Sequence, residues 1–415
     1  MLRLPLKKNN SRKKVIQKVL LTLFILFIYR FGNSIPLFGI DQESLKKSLL
    51  QMENRNAIMQ IMNMYSGSGS NILTPFSLGI IPFINASILI DLLTALFPSL
   101  EKLQSEEGEL GRKKLMFYKK LVTLLFAAIQ SGFLVFYLRP YLYTTEIFSL
   151  GILGLQLVTG SLLVVWLSNL IDIKGIGNGT SLIIFANIII GLITKNIFSN
   201  ALTDQFFLLE MFILLILIFF ICISQTARVN IEVVSARQLA FLENFEKKYL
   251  DKNKIDLFFQ LKENGLSIRL NQAGIFPIII ASNLMPFIGL FSNNLGINLN
   301  SINSLLYYVL IIAFNYFYTT VFWDPEKISE QLRKASVSIV NITPGKETVS
   351  YLENVVKSTS ILGGIYLSLI LFCYDFLKQI LKGYLLNQIN ISSLIIVVGV
   401  AYETQKTIKS LFKNL

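Results

Sequence analysis

The sequence contains no histidine. That removes His-ligated zinc or haem and every Ser-His or Cys-His catalytic pairing. Cys222 and Cys373 each stand alone in an apolar run, with no CxxC partner. Neither a disulfide framework nor a zinc site is expected, and both read as small buried apolar residues. Gly345-Lys346 is followed by Glu347, so no Walker frame forms there. Gly175-x-Gly177-x-Gly179 imitates a phosphate loop, but no strand pattern precedes it; a helix break fits better. With no ATP site in view, energy for any transport must come from a partner or a gradient. Asp91 is the clearest charge inside an apolar run. Such a group costs about 2.5–3.5 kcal/mol on insertion scales. A lone carboxylate is a poor proton relay, so Asp91 is expected to face a wet cavity or to pair at a helix end. The uncharged polar residues are more numerous: Asn85, Ser87, Gln130, Asn187, Asn271, Asn283 and Asn315. Hydrogen bonds between helices are their ordinary use; a polar seam that opens sideways is the sharper alternative.

The elements that carry these residues are apolar and long. Of 415 residues, 53% are hydrophobic and only 15% charged, against about 25% charged in soluble proteins. A spanning helix needs roughly 20 mainly apolar residues. Ten segments qualify, near 15–35, 72–97, 115–138, 147–171, 180–198, 206–225, 271–291, 304–322, 360–377 and 389–405. The fold class is therefore an all-α integral membrane protein. Lys7, Lys8, Arg12, Lys13 and Lys14 ahead of the first segment imitate a signal peptide. No A-x-A-like cleavage site follows, and the segment reads as a retained helix.

Connecting segments 226–269 and 323–358 are long and polar enough to project into water. The first holds the alternation Val229-Asn-Ile-Glu-Val-Val234, which predicts a short β-ribbon. The piece 57–65 is mildly apolar but too short to span, and reads as a surface or re-entrant element. The net charge is +13. Nucleic acid is one reading of that balance; membrane orientation and anionic lipid explain it better in so apolar a chain. Ten spans would put most of the 38 Lys and Arg on the side of both termini, which the positive-inside rule makes cytoplasmic or its equivalent.

Gly79-Ile-Ile-Pro82-Phe-Ile-Asn-Ala86-Ser87 in the second segment matches Gly274-Ile-Phe-Pro277-Ile-Ile-Ile-Ala281-Ser282 in the seventh. The shared frame is G-x-x-P-x-x-x-A-S. Division at residue 200 makes each half (1–200 and 201–415) five spans, so the halves must be inverted. Paired Gly/Pro-interrupted helices in inverted halves point to a transport path. Coincidence among residues that helices tolerate is the alternative.

Several pieces together resemble the SecY family, the central subunit of the Sec protein-conducting channel. They are Leu78–Ile88, Glu107-Gly-Glu-Leu-Gly-Arg112, Gly177-Asn-Gly-Thr-Ser-Leu-Ile-Ile-Phe185, Asn271-Gln-Ala-Gly-Ile-Phe-Pro277, Phe314-Asn-Tyr-Phe-Tyr-Thr319 and Ser393-Leu-Ile-Ile-Val-Val-Gly399. The resemblance runs over nearly the whole chain. It implies an hourglass pore between two inverted halves, with an aliphatic waist at Ile80, Ile84, Ile184, Ile188, Ile279 and Ile396. Branched aliphatics make an unsolvated collar that blocks flow by dewetting and offers no fixed hydrogen bonds. The resemblance also implies a plug at 57–65 and a lateral gate whose polar seam holds Ser87, Gln130 and Asn271. The two long loops would dock the ribosome or the SecA motor, with Arg228 and Arg237 as basic candidates in the first. The implied partners are a SecE-like clamp, a SecG-like subunit, signal-bearing precursors and anionic lipid. No cofactor and no direct nucleic acid beyond ribosome contact are implied.

Two departures stand out. The family's Ile-Arg-Pro-Gly docking loop reads Ile342-Thr343-Pro344-Gly345 here, which loses a bidentate donor. Asp91 stands where the family usually has glutamine. The richness in Lys, Asn and Ile, and the frame Leu100-Glu-Lys-Leu-Gln-Ser-Glu-Glu-Gly-Glu, favour a plastid thylakoid membrane; a bacterial inner membrane is the alternative. From the residues alone, a secondary transporter of small solutes on inverted repeats remains the competing class. Its midplane site should carry polar or charged backbone, which an aliphatic waist does not supply.

Overall fold

The computed structural model describes residues 6–51, 73–194 except 106 and 145, 207–235, 265–285 except 283, 300–381 except 341, 385–386 and 389–413. The sequence-expected plug at 57–65, Arg237 and Asn283 lie outside these residues.

The described chain is almost wholly helical. Its helices are α1 (Leu6–Gly32), α2 (Gln42–Gln51), α3 (Ile81–Leu96), α4 (Pro98–Ser105), α5 (Gly108–Leu138), α6 (Ile147–Lys174), α7 (Gly179–Thr194), α8 (Phe207–Thr226), α9 (Asn300–Phe322), α10 (Pro325–Lys334), α11 (Lys346–Leu381) and α12 (Ile391–Lys413). Among the described residues, six helices are long and apolar enough to cross a membrane, and α3 and the start of α7 are shorter apolar helices. Their outward faces are apolar: Phe24, Phe27, Phe133, Phe136, Phe212 and Phe219 are all well exposed. A soluble protein rarely shows so continuous an apolar surface, whereas lipid is its natural solvent. Cys222 is exposed on α8 and Cys373 is only partly buried. This corrects the reading of both as buried; Cys222 belongs to the outward face of its helix.

The chain forms two compact units. The first comprises residues 1–210, 286–297 and 382–415; the second comprises 211–285 and 298–381. This division follows packing, while the division at residue 200 follows a repeat, so α12 falls in the first unit. Within the first unit, α3 packs on α5, α5 on α6, α6 on α7 and α1, and α12 on α7. Leu37, Leu45, Leu78, Leu138, Leu153 and Leu157 share one core at one end of these helices.

In the second unit, α9 packs along α11. The two polar connections of this unit fold together. Strand β1 (Arg228–Ser235) is the ribbon expected from its alternation, paired antiparallel with β2 (Gly265–Arg269). Strand β3 (Val337–Ile339) from the other connection adds to the far edge of β1, giving the order β2-β1-β3. Ile231, Ile268 and Ile339 from the sheet join Leu352 and Val356 of α11 in a small core. Alternation puts Val229, Ile231 and Val233 on one face of β1, and the pairings Val229↔Ile268 and Val233↔Ile339 set the other two isoleucines on that face. The burial they achieve there is what holds so small a sheet together.

Candidate functional site

The repeated frame has the same backbone at both of its sites. Gly79 adopts φ 55° and Gly274 φ 63°, a left-handed conformation that glycine adopts without strain. The next carbonyl then opens a helix. Ile80 O accepts from the N–H groups of Phe83 and Ile84; Ile275 O accepts from those of Ile278 and Ile279, at 3.1–3.2 Å. Pro82 lies in the first turn of α3, and Pro277 lies in the first turn of the helical stretch 276–282. A proline there forfeits no intrahelical bond. Ala86 and Ala281 are both fully buried.

A second correspondence is absent from the frame itself. A Cβ on Gly160 of α6 would lie 2.0 Å from the Pro75 carbonyl oxygen. One on Gly363 of α11 would lie 2.3 Å from that of Leu270. Pro75 and Leu270 each stand four residues before the left-handed glycine. In both units, therefore, a glycine on another helix lets the backbone ahead of the frame approach closely, the small-residue packing that membrane helices use.

The two sites differ in what takes the glycine's carbonyl. The Ser161 hydroxyl of α6 donates to Gly79 O at 3.0 Å. Asn271 Nδ2 donates to Gly274 O at 2.9 Å from within the turn itself. The Asn271 Oδ1 has no hydrogen-bond partner among the described residues, nor do Gln225 Nε2, Gln272 Nε2 and Asn315 Oδ1, all in the second unit.

Of the six isoleucines expected at a waist, Ile80 and Ile84 lie at the start of α3 and Ile396 on α12, all buried. Ile184 and Ile188 lie on α7 and are half-buried, and these five belong to the first unit. Ile279 is half-buried within the second frame, in the first turn of its helix and in the second unit. Ser87 on α3 is half-buried. Gln130 on α5 has its Oε1 buried without a partner among the described residues.

Other expected polar residues found partners. The Tyr29 hydroxyl of α1 donates to Asn187 Oδ1 of α7 at 2.8 Å. Asn315 Nδ2 of α9 donates to Ser360 O of α11 at 2.6 Å. Asp91 of α3 pairs with Lys119 of α5, N to O 2.8 Å, with both side chains about three-quarters buried. The ion-pair alternative for Asp91 is the one realised. Sequence reading missed Lys119 because the two residues are distant in the chain and meet only when α3 packs on α5.

Arg228 opens β1 and is exposed. Thr343-Pro344-Gly345 leads from β3 into α11 on the same small sheet platform. There the Thr343 hydroxyl donates to Glu347 Oε2 at 2.6 Å, and the Thr348 hydroxyl donates to Thr343 O at 2.8 Å. Nearby on α10, Lys334 beside Glu330 holds that carboxyl below its usual range. Among the described residues no cluster of acidic or thiol side chains could hold a metal ion.

Apolar helices with outward apolar faces, two matching interrupted helices and a small polar platform define a multi-pass helical membrane protein. The SecY family model matches residues 74–405. The Protein translocase subunit SecY of Pyropia yezoensis is 35% identical over 97% of both chains, and that of Guillardia theta 34% over 97% of this chain and 96% of the relative. The Synechocystis protein of the same description is 32% identical over 95% of this chain and 91% of its own. Two solved structures share the fold. "The structure of a protein conducting channel" gives a TM-score of 0.63 at 14% identity, and a Sec61 channel in a canine ribosome complex gives 0.60 at 14%. Each match covers 96% of this chain and 92% of the other. The chain belongs to the SecY family.

Proposed function

We propose that this chain is the protein-conducting subunit of a Sec translocase, passing unfolded polypeptides across a membrane and releasing apolar helices into it. The observation that carries the reading is the duplicated frame with its left-handed glycine, set in a chain of the SecY family. Ten spans in two inverted halves are proposed: the six long apolar helices, the shorter α3 and α7, the partly described stretch from 276, and α12 with its apolar first half. Ile80, Ile84, Ile184, Ile188, Ile279 and Ile396 form the waist. Side chains of this kind shed water and bind no particular sequence, so a passing chain meets a seal without a specificity filter. Ser87, Gln130 and Asn271 are the polar residues of the lateral gate.

The platform built from β1, β2, β3 and α10 is the docking surface for a motor ATPase or a ribosome. Arg228 and Arg237 serve it. Thr343 engages Glu347 instead of presenting a guanidinium, so docking there relies on the basic residues around it. A SecE-like clamp and a SecG-like subunit complete the complex, and anionic lipid meets the basic side. The chain performs no catalysis of its own. The membrane is that of a plastid thylakoid, a reading in keeping with the algal and cyanobacterial relatives, and the excess of Lys and Arg on the side of the termini makes both termini stromal.

The decisive experiment arrests a secretory precursor midway and crosslinks from photoreactive residues at positions 84 and 279. Crosslinks to the precursor from both are expected. Their absence from both would sink the reading, and uptake of a small solute by the reconstituted chain would favour a secondary transporter instead.

A further inference from the structure

Glu210, in the first turn of α8, is fully buried, although charged groups in spanning segments are costly and rarely idle. Among the described residues its carboxylate faces no Lys or Arg. Its two oxygens accept instead from consecutive backbone N–H groups, Leu385 to Oε2 at 3.1 Å and Leu386 to Oε1 at 3.5 Å. Both leucines are themselves fully buried. Consecutive amides converging on one anion form a concave donor site, and burial strengthens each such bond while making its loss expensive.

A chain of local bonds leads from this site to α12. Ile389 N–H donates to Leu385 O at 3.2 Å, and Leu394 N–H to Asn390 O at 3.1 Å. Asn390 Oδ1 caps the helix, accepting from Ser392 N–H and from the Ser392 hydroxyl. One turn further stand Ile395, fully buried, and Ile396. Glu210 and residues 382–415 both belong to the first unit, Glu210 where the chain first leaves it and 382 where the chain returns to it for the last time. The carboxylate therefore ties the first turn of α8 to the segment that leads into α12.

We infer that Glu210 is a positioning residue that sets the height and rotation of α12, and with them the place of Ile396 in the closed waist. This rests on the waist assignment above. The glutamate does not touch a passing chain; it acts through Leu385, Leu386 and the cap at Asn390. A side chain that only stabilised the fold would change stability and resting leak together, whereas a positioning residue changes the seal first.

The test uses the full chain in proteoliposomes loaded with a small anionic dye. Glu210→Gln keeps the shape but turns an –NH2 towards an N–H. It is expected to raise resting dye leak several-fold, with an unfolding midpoint within a few degrees of the parent and crosslinking of arrested precursor retained. Glu210→Asp, whose shorter reach releases one of the two N–H groups, is expected to leak to an intermediate degree. A parent-like leak from folded Glu210→Gln overturns the inference. Should that variant not accumulate, a parent-like leak from Glu210→Asp does the same. Ile396→Ser serves as the control: if it too stays sealed, the waist assignment is at fault rather than the role of Glu210.

Discussion

The two frames share a backbone but are braced differently. At Gly79 the carbonyl is taken by Ser161, a fully buried hydroxyl on a different helix. At Gly274 it is taken by Asn271, three residues earlier in the same turn. The first frame is thus tied to α6. The second closes on itself and lies in a unit with four unpartnered amide atoms among its described residues. An unmet buried polar group costs about 1–3 kcal/mol, and Asn271 Oδ1, beside the second frame, is one such group among the described residues. The difference is one of anchoring: the first frame is bonded to another helix, the second within its own turn.

The largest effect expected from breaking the comparison comes from the paired glycines. Gly160→Val and Gly363→Val each force side-chain atoms onto a backbone carbonyl, at 2.0 and 2.3 Å from the added Cβ. Overpacking of this kind typically costs 1–3 kcal/mol or more. Both variants should lose most folded protein in a thermal-unfolding or protease assay, and tolerance at either one would break the equivalence. Next in size, Ser161→Ala strands the Gly79 carbonyl and should cost about 1–3 kcal/mol. Asn271→Ala removes a bond and an unpartnered oxygen together, so its cost should be the smaller by the same assay. Equal costs would contradict the difference in bracing.

Lys119→Met leaves Asp91 with no cation, and should destabilise more than the double change with Asp91→Asn. The coupling expected from a double-mutant cycle is on the order of 1 kcal/mol for a partly exposed pair, diminishing with salt. The smallest effect is the control. Gly132 on α5 has open space around its would-be Cβ. Gly132→Ala should be neutral or stabilising by up to about 1 kcal/mol, in contrast to both frame-facing glycines.

Much of this was legible in the chain. Apolar length marked the spanning helices, because lipid leaves the backbone no other way to satisfy its hydrogen bonds. Alternation at 229–234 marked β1, because one face of a strand must bury. The G-x-x-P-x-x-x-A-S frame was visible because a left-handed glycine and a first-turn proline are local requirements. Partners chosen through space were not legible. Gly160 and Gly363 carry no shared motif, since each is selected by the carbonyl it must admit. Strand β3 is three residues long, too short to alternate, and exists because β1 offers it an edge. Cys222 looked like a buried residue because an apolar run alone does not say which face turns outward.

The sequence by itself determined that the protein lives in lipid, that it carries a duplicated interrupted helix, and that it lacks the groups for catalysis by histidine. Those properties depend on composition and on neighbours along the chain. Only the tertiary structure decided that Asp91 meets Lys119, that Ser161 and Asn271 close the two frames differently, and that Glu210 meets the N–H groups of Leu385 and Leu386. Each of these depends on which surfaces pack together, and a buried polar group is defined by the partner that packing brings to it.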